Sequence, residues 1–287
     1  MTTVTDLQQR ISAHFPQLSS KQKRIARFIS DNEYFVAFAT VNVMGQETGT
    51  SAATVVRFCQ AIGYEGYVEL QAAIREQLPR YLTYVEKVEK RLASAAPENE
   101  VLARVFATDA SNIERTTDLV DPETFEAAVA AICRASGILV VGGGLSAPPA
   151  LFFAHSLRMM GFSVRVVTTV GMPLALELSA LGPTDLLIGI SFWRYLRGTV
   201  KAMYKAKEIG ATRIAITDSE LSPLARLADY PFLVATEGTA HNLSPVAPIS
   251  LINAFVAALS LEVQDQALHA LQQVNASYKE SSLLLQE

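Results

Sequence analysis

The chain has 287 residues, half of them hydrophobic, and carries a formal net charge of -4. So large an apolar share builds a sizeable core and excludes a disordered chain, while the acidic balance excludes coating of nucleic acid by bulk charge and leaves only a local basic surface for such a role. Cys59 and Cys133 stand far apart without His or Cys neighbours at ligand spacing, which argues against a disulfide framework or a zinc site and points to a reducing cytoplasm.

Met1 to Arg10 has no apolar run of the kind a secretory signal needs. The long uncharged stretches are interrupted by Gly142-Gly143-Gly144, Pro148-Pro149, Pro245 and Pro248, so no membrane segment is expected. From Leu18 to Asn32, Ile25, Phe28 and Ile29 recur at helical spacing behind Ser19 and Ser20 as candidate caps. Lys21, Lys23, Arg24 and Arg27 give that helix a basic face, a pattern that a merely solvated surface also produces. Val41 to Thr48 reads as a short helix, Gly49-Thr50 as a turn, and Ser51 as the cap of a second helix through Ala52 to Ile62. In that second helix Val55, Phe58 and Ile62 share one side for the core, which turns Ser51, Thr54, Arg57 and Gln60 elsewhere. Small residues early in such a helix permit close approach to a groove, and Thr and Arg there can meet base edges or phosphates.

The run Thr50-Ser51-Ala52-Ala53-Thr54-Val55-Val56-Arg57-Phe58-Cys59, followed by Ala61-Ile62-Gly63-Tyr64-Glu65-Gly66-Tyr67 and Leu70, resembles the N-terminal helix-turn-helix domain of RpiR-type bacterial transcriptional regulators. The likeness extends from Leu18 to Leu78 and implies a double-stranded DNA operator as partner, with Lys21, Ser51, Thr54, Arg57 and Tyr64 as candidate DNA-binding residues. One departure is Val43-Met44-Gly45-Gln46-Glu47, where the family has a Glu-Leu-Ala type core. Gly45 is expected to weaken that helix by about 1 kcal/mol relative to Ala. On the residues alone other roles stay open: Arg57 paired with Glu47, Ser51 as a cap only, Tyr64 and Tyr67 as packing residues.

Gln77 to Leu92 alternates apolar and charged residues as an exposed helix does, and Ala93 to Asn99, with Pro97, reads as a hinge. The expected organisation is a helix-turn-helix domain over residues 1–78, a helical linker over 79–99 and a second domain over 100–287. Glu100 to Val120 reads as a long amphipathic helix whose Val101, Leu102, Val105, Phe106 and Ile113 pack on the second domain or on a partner subunit. After Asp121-Pro122, apolar runs at 138–141, 164–168, 186–190, 213–216 and 232–234 alternate with helical stretches. That alternation predicts an α/β fold with a parallel five-stranded sheet and ligands at the carboxyl ends of its strands.

Ile138-Leu139-Val140-Val141-Gly142-Gly143-Gly144-Leu145-Ser146-Ala147 reads as a buried strand, a glycine turn and a helix N-terminus. Free N–H groups and the helix dipole there favour an anion by roughly 0.3 to 1 kcal/mol, although the turn can equally do no more than join strand to helix. A dinucleotide fingerprint does not fit: Ala147 and Pro148-Pro149 follow where a third glycine belongs, and Val164 to Val170 offers no acid for a ribose hydroxyl. A second polar loop, Ser191-Phe192-Trp193-Arg194-Tyr195-Leu196-Arg197-Gly198-Thr199, follows the third apolar run.

These loops, with Ser222-Pro223-Leu224-Ala225, resemble the SIS or sugar isomerase domain from Phe125 to Leu261, and helix-turn-helix followed by SIS is the domain order of the RpiR family. The resemblance implies a flavodoxin-like fold and a phosphosugar or related ligand held by Gly142, Gly144, Ser146, Ser191, Arg194, Arg197 and Thr199. In place of the usual Ser-x-Ser-Gly-x-Thr run only Ser191 is kept, with Trp193, Arg194 and Leu196 at the other three positions. Arg194 and Arg197 can grip phosphate or carboxylate through paired hydrogen bonds, or form ion pairs, and Trp193 can stack on a ligand but is expected rather as a core or interface anchor.

The expected function is a DNA-binding transcriptional regulator controlled by a small anionic metabolite. It is expected to act as a cytoplasmic homodimer or homotetramer, with no cofactor, no metal and no membrane. The rival is an aldose-ketose phosphate isomerase with an appended N-terminal domain, whose base would be Glu237 or His241 in the Thr236 to Ser244 loop.

Overall fold

The computed structural model describes residues 6–37, 39–77, 88–89, 91–92 and 100–280, and contacts divide the chain into two units, Met1–Lys87 and Val88–Glu287. Apart from residues 88–89 and 91–92, the expected linker over 79–99, with its hinge at Ala93 to Asn99, lies outside the described residues.

The first unit is helical: α1 (Asp6–His14), α2 (Ser20–Asp31), α3 (Glu33–Val36), α4 (Val41–Glu47), α5 (Ala52–Ala61) and α6 (Tyr67–Gln77). Each helix of the expected motif starts where a hydroxyl can satisfy a first-turn N–H. Ser19 and Gln22 form a reciprocal capping box on α2, Thr40 accepts from the Val43 N–H on α4, and Ser51 accepts from the Thr54 N–H on α5. Ile25, Ile29, Met44, Val55, Phe58, Cys59 and Ile62 are fully buried between them. Burial pushes the Cys59 thiol up to about 12, which makes it an inert packing group.

Gly45 has a different meaning from the one its helix propensity gives. A Cβ there would lie 2.8 Å from the Thr50 carbonyl oxygen and 3.2 Å from the Ala52 nitrogen, so only glycine lets the turn fold back against α4. The Thr50 N–H donates to the Gly45 carbonyl at 2.7 Å, closing the turn. The loss in helix propensity is the condition for the close approach of the two helices.

The second unit contains α7 (Val101–Leu119), α8 (Pro122–Arg134), β1 (Ile138–Val141), α9 (Ala147–Met159), β2 (Val164–Val167), α10 (Met172–Ser179), β3 (Leu186–Ser191), α11 (Arg197–Ile209), β4 (Thr212–Thr217), α12 (Pro223–Leu227), β5 (Tyr230–Leu233), α13 (Val246–Glu262) and α14 (Gln264–Glu280). The five strands form one sheet in the order β2-β1-β3-β4-β5, and every pairing is parallel. β1 and β3 are buried along their whole length, as their unbroken apolar runs require. Ile138 and Val140 face the layer with Phe153, Phe232 and Phe255; Leu139 and Val141 face the opposite layer with Ala202, Met203 and Leu224. The chain leaves β1 in one direction for β2 and returns on its other side as β3, which makes the carboxyl ends of β1 and β3 the switch point where a crevice opens.

Of the two uses expected for the apolar stripe of α7, the second domain leaves most of it uncovered, and packing on a partner subunit stands as the expectation. Val101, Leu102, Phe106 and Ile113 are 48%, 71%, 67% and 38% exposed, whereas Asn112 and Thr116 are buried. The reason lies in the chain leaving the edge strand β5, whose backbone groups lack a further strand. Thr116 accepts from the Ala235 N–H at 2.9 Å, and the Asn112 amide meets both the N–H and the carbonyl of Glu237, at 3.1 and 2.7 Å. Thr116→Val keeps the shape and strands the Ala235 N–H, so it should lower stability by about 1–3 kcal/mol in urea unfolding. An unchanged midpoint would mean that water replaces the hydroxyl. Among the described residues no single helix is long and apolar enough to cross a membrane.

Candidate functional site

Two sets of expected residues come to the surface in different ways. In the first unit, Ser51 and Arg57 are exposed on α5 with Thr54 half-exposed between them. The Ser51 and Thr54 hydroxyls bond each other at 2.8 Å while Ser51 caps the helix, so the cap and the expected base-reading face are the same groups. Arg57 has no hydrogen bond or ion pair among the described residues, and the pairing with Glu47 is not formed. Lys21 is exposed in the first turn of α2, which packs on α5. Arg24, on the same helix, donates to the Gly49 carbonyl at 2.9 Å, where the backbone turns at φ +57.

Tyr64 does not fit the role of a DNA contact. It is 5% exposed, and the Arg10 guanidinium lies over its ring at 4.8 Å while donating to the Gly63 carbonyl at 3.2 Å. Its ring supports the end of α5, and Arg10, which the sequence did not single out, covers it.

In the second unit, Gly142 and Gly143 carry the chain off β1, and a short 3-10 turn, Gly144–Ser146, leads into α9. Gly144 has φ +59, the conformation that favours glycine. A Cβ on Gly142 would lie 3.2 Å from the Ile190 carbonyl oxygen, and one on Gly143 would lie 2.6 Å from Leu196 Cδ1, so the glycines let this loop press against β3 and the loop beyond it.

The first turn of α9 offers few free donors to an anion. The Ser146 N–H is spent on Gly143 and the Ala147 N–H on Gly144, and Pro148 and Pro149 have none. α11 differs: Leu196 caps it without a side-chain bond, and the N–H groups of Arg197, Gly198 and Thr199 lie in its first turn, where helical geometry provides no partner. Thr199 is 2% exposed and Ser146 3%, and neither hydroxyl is hydrogen-bonded among the described residues. Neither oxygen is among the buried side-chain atoms left without a partner, so both hydroxyls remain reachable and can be completed by water or a guest. Arg194 and Arg197 are exposed above this helix start. A Cβ on Gly198 would collide with Val170 Cγ1, so the segment after β2 also reaches this point.

The β3–α11 loop is held from β4. Trp193 has φ +60, a backbone state costing a bulky residue about 1–2 kcal/mol. Its N–H donates to Asp218 Oδ2 at 2.9 Å, and the Tyr195 hydroxyl donates to Asp218 Oδ1 at 2.8 Å. The Thr217 hydroxyl donates to the Ser191 carbonyl at 2.9 Å, and the Ser191 hydroxyl makes only a long bond, 3.4 Å, to the Arg194 carbonyl. Trp193 is buried to 9% exposure, in keeping with an anchor. Asp218 was missed by sequence reasoning; its one signal is an acid closing the apolar run Ile214-Ala215-Ile216-Thr217.

The two residues expected as an isomerase base lie in another loop. Glu237 and His241 are exposed in the loop after β5, which leaves the sheet three strands from β1, about 14 Å at ordinary strand spacing. The Glu237 carboxylate lies 3.4 Å from Arg91. Among the described residues no cluster of His, Cys, Asp and Glu is placed to hold a metal.

Comparison with known proteins matches residues 5–80 to the helix-turn-helix domain of the rpiR family and residues 131–262 to the SIS domain. The sugar isomerase domain of an RpiR transcription factor from Sphaerobacter thermophilus is 43% identical, covers 62% of this chain and 99% of its own, and superposes with a TM-score of 0.61. An HTH-type transcriptional regulator from Caldanaerobacter subterraneus is 28% identical over 240 residues, 83% of this chain and 82% of that protein. The Vibrio vulnificus NanR protein, solved in complex with ManNAc-6P, shares the fold over 98% of this chain and 100% of its own, with 21% identity and a TM-score of 0.55. With both domains present in the family's order and geometry, the chain belongs to the RpiR family of helix-turn-helix transcriptional regulators that carry a SIS domain.

Proposed function

We propose that this regulator reads its operator with the exposed face of α5, Ser51, Thr54 and Arg57, assisted by Lys21. Its effector is a small anionic metabolite, a sugar phosphate or related sugar acid, seated at the start of α11. The observation that carries the effector reading is the pair of reachable hydroxyls without protein partners on the largely buried residues Ser146 and Thr199, together with three first-turn N–H groups at the switch point of the sheet. A NanR protein of the same fold with a sugar phosphate bound agrees with that ligand class. Arg194 and Arg197 supply positive charge where the family's second Ser and Thr hydroxyls are missing, and guanidinium forks suit carboxylate as well as phosphate. Gly142 and Gly144 shape the loop that closes the seat, and Ser191 holds the chain between the strand and Arg194.

The protein acts in this reading as a cytoplasmic homodimer or homotetramer without catalytic turnover, organised as a reading domain over 1–78, a linker over 79–99 and an effector domain over 100–287. Recognition helices that read half-sites one turn apart must stand about 34 Å apart, so a small rotation of subunits changes the fit, and a coupling of about 1–3 kcal/mol suffices to change occupancy. Arg57→Ala should weaken operator binding about 5- to 150-fold without changing oligomer size. Fluorescence anisotropy on a duplex selected from a random pool measures this, and equal affinity would remove Arg57 from the reading face.

A further inference from the structure

The β3–α11 loop has a conformation that its own residues do not explain, and the explanation lies on the next strand. β3 and β4 pair through Ser191 and Thr217, so Asp218 is the first residue beyond the ladder and faces the loop as it leaves β3. One carboxylate oxygen takes the Trp193 N–H and the other takes the Tyr195 hydroxyl, spanning the loop from its turn to the residue before the α11 cap. Thr217 adds a third tie at the Ser191 carbonyl. The left-handed backbone at Trp193 persists because these ties over-determine it.

From this geometry we propose that Asp218 is the positioning residue of the effector seat. By fixing Trp193 and Tyr195 it sets where Leu196 begins α11, and hence where the N–H groups of Arg197, Gly198 and Thr199 and the Thr199 hydroxyl stand. Both carboxylate oxygens of Asp218 are taken by the loop, so Asp218 acts through it. The proposal rests on the reading that an anion binds at the start of α11. Trp193 is the only tryptophan of the chain, so its emission reports on this loop alone.

The test uses the full chain and the variants Tyr195→Phe, Asp218→Asn and Asp218→Ala. Acrylamide quenching of Trp193 is measured without ligand, and binding of inorganic phosphate and of a hexose 6-phosphate is measured by calorimetry at constant ionic strength. Asp218→Ala should raise the quenching constant about twofold or more and weaken the binding of the anions about tenfold, with Tyr195→Phe between it and the parent. Tyr195→Phe removes one hydroxyl only and keeps the test decisive if Asp218→Ala loses its far-UV circular dichroism. Unchanged quenching in the Asp218 variants overturns the clamp, and raised quenching with unchanged anion affinity overturns its role at the seat. Raised quenching with no binding of either anion to the parent protein overturns the effector reading instead, and leaves the clamp standing.

Discussion

Ser146→Phe is expected to abolish the effector response: the amount of operator bound by the variant should not change when effector is added. The site leaves no other place for the ring. Ser146 is 3% exposed at the foot of the glycine loop, and its backbone carbonyl already lies 2.9 Å from where a Cβ on Gly142 would be, so the backbone cannot draw back to make room. The ring would therefore enter the space that the unbonded hydroxyl now faces, and would both remove a donor and fill the seat. The expected weakening of effector binding is at least about 100-fold, near 3 kcal/mol. Titration of a labelled operator duplex with and without effector measures it, and a response of ordinary size in a folded variant would move the effector away from Ser146.

In the first unit the largest effect is expected from Gly45→Val. Every atom that a new Cβ would meet belongs to the backbone of the turn, Thr50, Ser51 and Ala52, and cannot swing aside as a side chain tip can. Two effects oppose each other here. A better helix former gains about 1 kcal/mol, whereas forcing atoms into a filled contact costs about 1–3 kcal/mol, and the branched Val adds a further clash. The turn bond from Thr50 to Gly45 would also stretch. Gly45→Val should therefore destabilise the motif by about 3 kcal/mol and eliminate operator binding, with Gly45→Ala about 1 kcal/mol worse than the parent. Urea unfolding together with operator anisotropy measures both. A Gly45→Ala protein more stable than the parent would show that helix propensity outweighs the close approach.

Elements whose character depends on neighbours in sequence were legible. Ser19 and Ser51 cap the helices they precede, and the five apolar runs became five parallel strands, with shifts of a residue or two such as β5 beginning at Tyr230. The glycine loop and the β3–α11 loop come together as their places after β1 and β3 require. What escaped depends on partners distant in sequence. The apolar stripe of α7 was read for packing on the second domain or on a partner subunit, but the face that the domain itself takes is set by the edge of the sheet, whose hydrogen bonds Asn112 and Thr116 supply. Gly45 shows its purpose only against Thr50, Tyr64 is a wall beneath Arg10, and Asp218 acquires meaning only from β3 beside it.

The central claim is that an anion held at the carboxyl end of the sheet alters the grip of α5 on a particular DNA sequence. The most direct test is competition anisotropy with the full chain at modest salt, in which a duplex selected from a random pool competes with scrambled DNA, with and without phosphorylated and carboxylated sugars. The account predicts tighter binding of the selected duplex than of scrambled DNA and a shift in that affinity with at least one sugar anion. Equal affinity for both duplexes, unmoved by any of these compounds, would contradict it.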